Sequence, residues 1–106
     1  MSQTNIMNKI QYFVIIAKKK KKNKFLSLLS DYGAHAIEIV YAHGSVTPSS
    51  FAAVFGFEAV QGKVVISCLL KTEKAKELIE VLNDEYKFDK PNTGIAYSIP
   101  VEGLAF

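Results

Sequence analysis

The sequence predicts an α+β domain of the ferredoxin-like βαββαβ form: one four-stranded antiparallel sheet with two helices on one face. Three observations predict it. Two nearly all-apolar runs of strand formers, Ile10–Ala17 and Lys63–Leu70, each lead into a stretch whose apolar residues recur at helical spacing. After each helical stretch comes a shorter strand-like run, Ala36–Ala42 and then Ile95–Ile99. Two β-α-β units in tandem make the split arrangement of that fold.

Each element has a local reason. Ile10–Ala17 is apolar throughout, as a central strand covered on both faces would be. Phe25, Leu28, Leu29 and Tyr32 lie at i, i+3, i+4 and i+7, one face of a helix expected over Lys20–Tyr32. Gly33 follows and can take the left-handed conformation that ends a helix. In the next strand Ile37, Ile39 and Tyr41 alternate with Glu38 and Val40. Gly44 to Ser50 breaks all periodicity and reads as a loop. Phe51–Phe55, between Ser49-Ser50 and Gly56, suits a short helix or a loop that packs its aromatics. After Lys63–Leu70, Thr72 is the expected N-cap of a second helix, with Glu73 favourable in its first turn. Ala75, Leu78, Ile79, Leu82 and Tyr86 form its apolar face. Lys90-Pro91-Asn92-Thr93-Gly94 is a tight loop by composition, and Pro100 stops the last strand.

Length and composition bound the rest. With 106 residues, 49% hydrophobic, the chain suits a single domain over 10–106 behind a disordered polar N-terminus at 1–9. One cysteine, Cys68, permits no internal disulfide and suits a reducing compartment. No apolar run reaches membrane-spanning length, and no basic leader precedes Ile10, so a cytoplasmic protein is expected. The strands are apolar on both faces: Val14 and Ile16 against Phe13 and Ile15, and Val65 against Val64 and Ile66. Two helices cover one face only. The other needs a cover, and in a chain this short a second copy is the obvious one.

Charge is concentrated. Net charge is +3, yet six of the 13 basic residues lie between Lys18 and Lys24. Without that run, acids outnumber bases. The run is either a solvated helix start whose lysine stems cover apolar surface or a patch for an anion. His35, His43 and Cys68 show no metal-ligand spacing. Ser45, Ser49 and Ser50 near His43 lack the elbow and orienting group of a nucleophilic site, so no enzyme is expected. RNA binding through the sheet would need aromatics on Lys63–Leu70, which has none, so no nucleic-acid partner is expected. Phe51, Phe55 and Phe57 suit either the core or a partner surface.

Two segments carry a resemblance. One is Phe88-Asp89-Lys90-Pro91-Asn92-Thr93-Gly94-Ile95-Ala96-Tyr97, followed by Ile99-Pro100-Val101-Glu102. The other is Gly44-Ser45 with Ser49-Ser50-Phe51 running into Phe55-Gly56. With the order and length of the elements, they make Ile10–Glu102 resemble a divergent, short-T-loop subgroup of the PII-like nitrogen regulatory signalling proteins. The resemblance implies a homotrimer with sheets facing inward and small effectors in clefts between subunits. Ligand-binding residues would be Gly44, Ser45, Lys90, Pro91, Asn92, Thr93 and Gly94, the last five forming a turn whose main-chain donors can cradle an anion. The loop Val46, Thr47, Pro48, Ser49, Ser50 and Phe51 would engage a regulated protein, an enzyme or a membrane transporter. Adenine nucleotides are the family's usual ligands and one candidate here. Ile95 stands where better-known members have a phosphate-binding lysine, and Ser45 where they have an arginine. Lys90 or lysines of the Lys18–Lys24 run are candidates to replace that charge. The alternative is a constitutive interaction module with a vestigial ligand site.

Overall fold

β1 (Ile10–Lys18) ends where the lysines begin, and the other described strands are arranged around it. The computed structural model describes residues 9–41, 62–91 and 93–103. After β1 come a 3₁₀ turn (Lys19–Lys21), α1 (Lys22–Asp31), β2 (His35–Tyr41), β3 (Lys63–Lys71), α2 (Thr72–Asp84) and β4 (Gly94–Pro100). The four strands form one antiparallel sheet in the order β2-β3-β1-β4, the expected ferredoxin-like topology. The expected elements are present with small shifts at their ends. The expected short helix at Phe51–Phe55 and the N-terminal segment 1–8 lie outside the described residues.

Both helices pack on one face. Phe13, Ile15 and Ala17 of β1 and Val64, Ile66 and Cys68 of β3 meet Phe25 and Leu29 of α1 and Ala75, Leu78 and Leu82 of α2. On the opposite face Val14 and Ile16 form a second cluster with Val65, Ile95 and Tyr97, to which no described helix contributes. Tyr12, Val40 and Ile99 stay exposed on the same face. Burial, followed by the neighbouring Tyr12, raises the pKa of the Tyr97 phenol.

The helix ends show how sequence becomes geometry. Gly33 has φ +78°. Its amide donates to the Ser30 carbonyl at 3.0 Å, and Ala34 donates to Leu29 at 3.0 Å. These two bonds are the Schellman closure that a left-handed glycine permits. Thr72 departs from expectation: Lys71 occupies the cap position with no side-chain cap bond, and Thr72 is the first helical residue. The Thr72 amide donates to the Lys9 carbonyl at 2.7 Å, drawing β3 straight into α2. Its hydroxyl is engaged elsewhere, accepting from Gln11 Nε2 at 3.2 Å, while Ser98 Oγ donates to Gln11 Oε1 at 3.2 Å. This trio satisfies the buried Gln11.

Tyr86 lies beyond the end of α2 rather than on its face, with its ring 5.3 Å from that of Phe25. Phe88 meets Phe25 edge-on at 5.5 Å. A left-handed Lys87 (φ +60°) makes the turn that brings Phe88 back, and the Phe88 amide donates to the Leu82 carbonyl at 3.0 Å. Gly94 is needed beside it, because a Cβ there would lie 2.5 Å from Phe88 Cζ. β2 carries an irregularity between His35 and Glu38, where Ala36 adopts φ +54°.

Three outcomes follow from this packing. Gly94→Ala should cost about 1–3 kcal/mol by overpacking, and much less in a Phe88→Ala background, as a double-mutant cycle in urea would read. Ala36→Gly should raise stability by about 0.5–1 kcal/mol, since a left-handed alanine is strained; unchanged urea midpoints would refute that strain. Burial pushes the Cys68 thiol from 9.0 up to about 11. The unfolded chain therefore loses this proton first, so stability should fall as pH rises from about 9 to about 11. Cys68→Ser should flatten that part of the stability profile.

Candidate functional site

Antiparallel pairing brings four chain segments to one end of the sheet. Ala17 pairs with Gly94 and Lys18 with Lys63. Tyr41 pairs with Val64. The lysine run, the connection from α2 to β4, and the residues at which segment 42–61 leaves and returns therefore lie together. The sequence suggested each signal separately, and the register joins them.

The lysines border an open cleft. Lys18, Lys19, Lys20, Lys22, Asn23, Gly62 and Lys63 together line a space of about 740 Å³. The Lys19 amide donates to the Gly62 carbonyl at 2.9 Å, a main-chain bond that continues the β1–β3 pairing one step past Lys18–Lys63. Neither the 3₁₀ turn nor α1 has a side-chain cap or an acid in its first turn. Among the described residues, no carboxylate lies within 4.0 Å of Lys18, Lys19, Lys20 or Lys22. Cations at a helix start oppose its dipole, so this arrangement carries a local electrostatic cost.

Tyr41 borders the same region. Lys22 Nζ donates to its hydroxyl at 2.7 Å. The 5.3 Å from that ammonium to the ring centre nearly equals the sum of this bond and the hydroxyl's own distance from the centre. Lys22 therefore sits off the ring edge as a hydrogen-bond donor, whereas Lys19, 5.5 Å from the centre, makes the cation–π contact. Lys24 points elsewhere, toward the Tyr86 ring at 5.7 Å. Lysines of one run thus divide between Tyr41 and Tyr86. The sequence signal for Tyr41 was its place at the end of β2, which says nothing of lysine contacts.

Of the residues expected to bind ligand, Lys90 and Pro91 are exposed and Thr93 and Gly94 half-buried. Gly44, Ser45 and Asn92 lie outside the described residues, as does the loop Val46, Thr47, Pro48, Ser49, Ser50 and Phe51. The Lys90 amide donates to the Lys87 carbonyl at 2.9 Å, so that donor is spent inside the turn. Packing against Phe88 accounts for the glycine at 94. Beside the turn, Phe88, Gly94 and Ile95 border a smaller depression of about 230 Å³ with Ile79, Leu82 and Asn83.

His35 is exposed and pairs with Leu69, away from the lysine cleft, and Cys68 is buried. Among the described residues no group of three or more His, Cys, Asp or Glu could hold a metal. No helix there is long and apolar enough to cross a membrane.

No family model and no curated protein matches the chain. Solved structures do. A protein of Thermus thermophilus described as PII-like and signalling superposes with a TM-score of 0.60 at 18% identity, covering 85% of this chain and 83% of its own. CPII of Thiomonas intermedia, a nitrogen regulatory PII-like protein solved with ADP, AMP and bicarbonate, gives 0.59 at 18% identity, covering 84% and 88%. The GlnK–ATP complex of B. subtilis gives 0.55 at 10%, covering 89% and 85%. Likeness at such low identity speaks to architecture: the chain has the fold of the PII-like nitrogen regulatory proteins.

Proposed function

We propose that this chain is a PII-like regulator that binds a small anionic effector and signals to a partner protein through the segment around Gly44–Phe51. The observation that carries the reading is the convergence at one sheet end. The lysine run, the Lys90–Gly94 turn and both attachment points of segment 42–61 meet there. A ligand at that end would touch the base of the loop, and differential contacts could bias its conformation. Neighbours of the same fold hold ADP, AMP and bicarbonate, or ATP, which makes an adenine nucleotide the first effector to try.

In this reading three copies assemble with their second sheet faces inward, and the effector sits where neighbouring copies meet. The exposed Tyr12, Val40 and Ile99 beside the Val14–Ile16 cluster support such a cover. A second reading, a constitutive interaction module with a vestigial ligand site, is favoured by one observation. Gly94 and the Lys90 amide are both explained by packing and turn closure without a ligand.

Native mass spectrometry of gently purified protein separates the readings. A species of three 11.7 kDa chains carrying nucleotide mass is the expected result. A bare trimer that also fails to take up ADP or ATP would favour the interaction module. A monomer at micromolar concentration would overturn both. Deleting Val46–Ser50 should leave effector binding intact and abolish partner capture.

A further inference from the structure

We propose that segment 104–106, Leu104-Ala105-Phe106, folds back over the helix face and seats Leu104 and Phe106 in the depression between the start of α2 and the end of β4. This goes beyond the reading above and does not rest on it, because the depression lies on the helix face and the assembly uses the other.

The depression has its origin in the strand register. Gly94, Ala96 and Ser98 stand on the helix side of β4, paired with Ala17, Ile15 and Phe13 of β1. All three are small, so α2 lies over an edge strand with little side chain beneath it. Ala75, Lys76 and Ile79 of α2 line a space of about 360 Å³ together with Gln11 and Ser98. That is room for one aromatic and one aliphatic side chain. Ile79 packs against the core and is still only half-buried, because its other side faces this space.

The floor selects an apolar occupant. Gln11 is 8% exposed. Its amide nitrogen donates to Thr72 and its oxygen accepts from Ser98. Among the described residues no buried side-chain nitrogen or oxygen lacks a partner. A polar ligand would find these groups engaged. An apolar side chain would gain contact with Ala75, Ile79 and the Lys76 stem and leave the trio intact.

The path of the chain selects the segment. The Val101 amide donates to the Ile10 carbonyl at 3.1 Å, which keeps the chain beside Gln11 as β4 ends. Glu102 and Gly103 are exposed, and a Cβ on Gly103 would meet nothing within 4 Å, so the backbone has room to reverse there. The way back from Pro100 to Ser98 is about 7 Å of strand. Residues 101–106 can reach about 20 Å when extended. Leu104 and Phe106 stand two apart, on one side of an extended chain. Segment 1–8 also joins the fold at this end, since the Lys9 carbonyl accepts from the Thr72 amide. Its adjacent Ile6 and Met7 fall on opposite sides of an extended chain, so only one of them could enter.

Cross-linking of the full chain tests the proposal, in a Cys68→Ala background that leaves no other thiol. Lys76→Cys with Phe106→Cys should oxidise to a disulfide within one chain. It should do so about 10-fold faster than Lys24→Cys with Phe106→Cys, because Lys24 lies by Tyr86 beyond the far end of α2. Phe106→Trp supplies the only tryptophan of the chain. Its emission should lie to the blue of the same chain unfolded in urea and resist quenching by acrylamide. Deleting residues 104–106 should lower the thermal midpoint by about 4–8 °C. Equal oxidation of the two cysteine pairs, a fully quenchable indole, or an unchanged midpoint on deletion would each overturn the docking. A disulfide between chains would assign the depression to the tail of a second copy. Faster oxidation of Lys76→Cys with Ile6→Cys would assign it to segment 1–8. Either result also overturns the proposal.

Discussion

The pairing of β1 on both of its edges is the constraint on which the rest depends. It is held by β3 along Ile10–Lys18 and by β4 along Gln11–Ala17, with Phe13–Ala17 buried. A slip of one residue would send Phe13, Ile15 and Ala17 to the face away from the helices. Burial of those side chains therefore fixes where β1 ends. Lys18 has to stand opposite Lys63, and the chain must turn into α1 at once for Phe25 and Leu29 to reach the core. The lysines occupy that turn because the hydrophobic register leaves them nowhere else.

From this position the electrostatics follow. In an antiparallel sheet of this order, the ends of β1 and β2 and the starts of β3 and β4 share one side. Segment 42–61 leaves and re-enters there, and so does the connection from α2. The lysines therefore meet the structural root of the longest connection. The regulator proposed above would depend on this juxtaposition, since a ligand can bias only what it touches differently in two states. PII-like neighbours that hold nucleotides share the fold, and the lysine cleft is where this chain concentrates its positive charge.

Much of the architecture was legible in the residues. Four strands and two helices follow from periodicity, and Gly33 marked the end of α1 because its position demanded a left-handed residue. Other features were hidden for physical reasons. Thr72 has the chemistry of a cap, but the Lys9 carbonyl claims its amide and Gln11 its hydroxyl, and Gln11 lies far away in sequence. Tyr86 continues the helical spacing of α2, yet stacking on Phe25 is available only after the helix has ended. Gly94 reads as a turn glycine, and the Phe88 ring makes it a packing glycine. Ala36 gives no hint that it would adopt a conformation that side chains disfavour.

The sequence by itself determined the fold class, the apolar second face and the charge imbalance, because hydrophobic period and composition are local quantities. The tertiary structure alone decided which lysines face Gly62, which reach Tyr41 and which turns to Tyr86. Consecutive lysines are equivalent as letters. They become different only when a strand end, a 3₁₀ turn and a helix give each one a direction, and when pairing from another part of the chain brings Gly62 and Lys63 beside them.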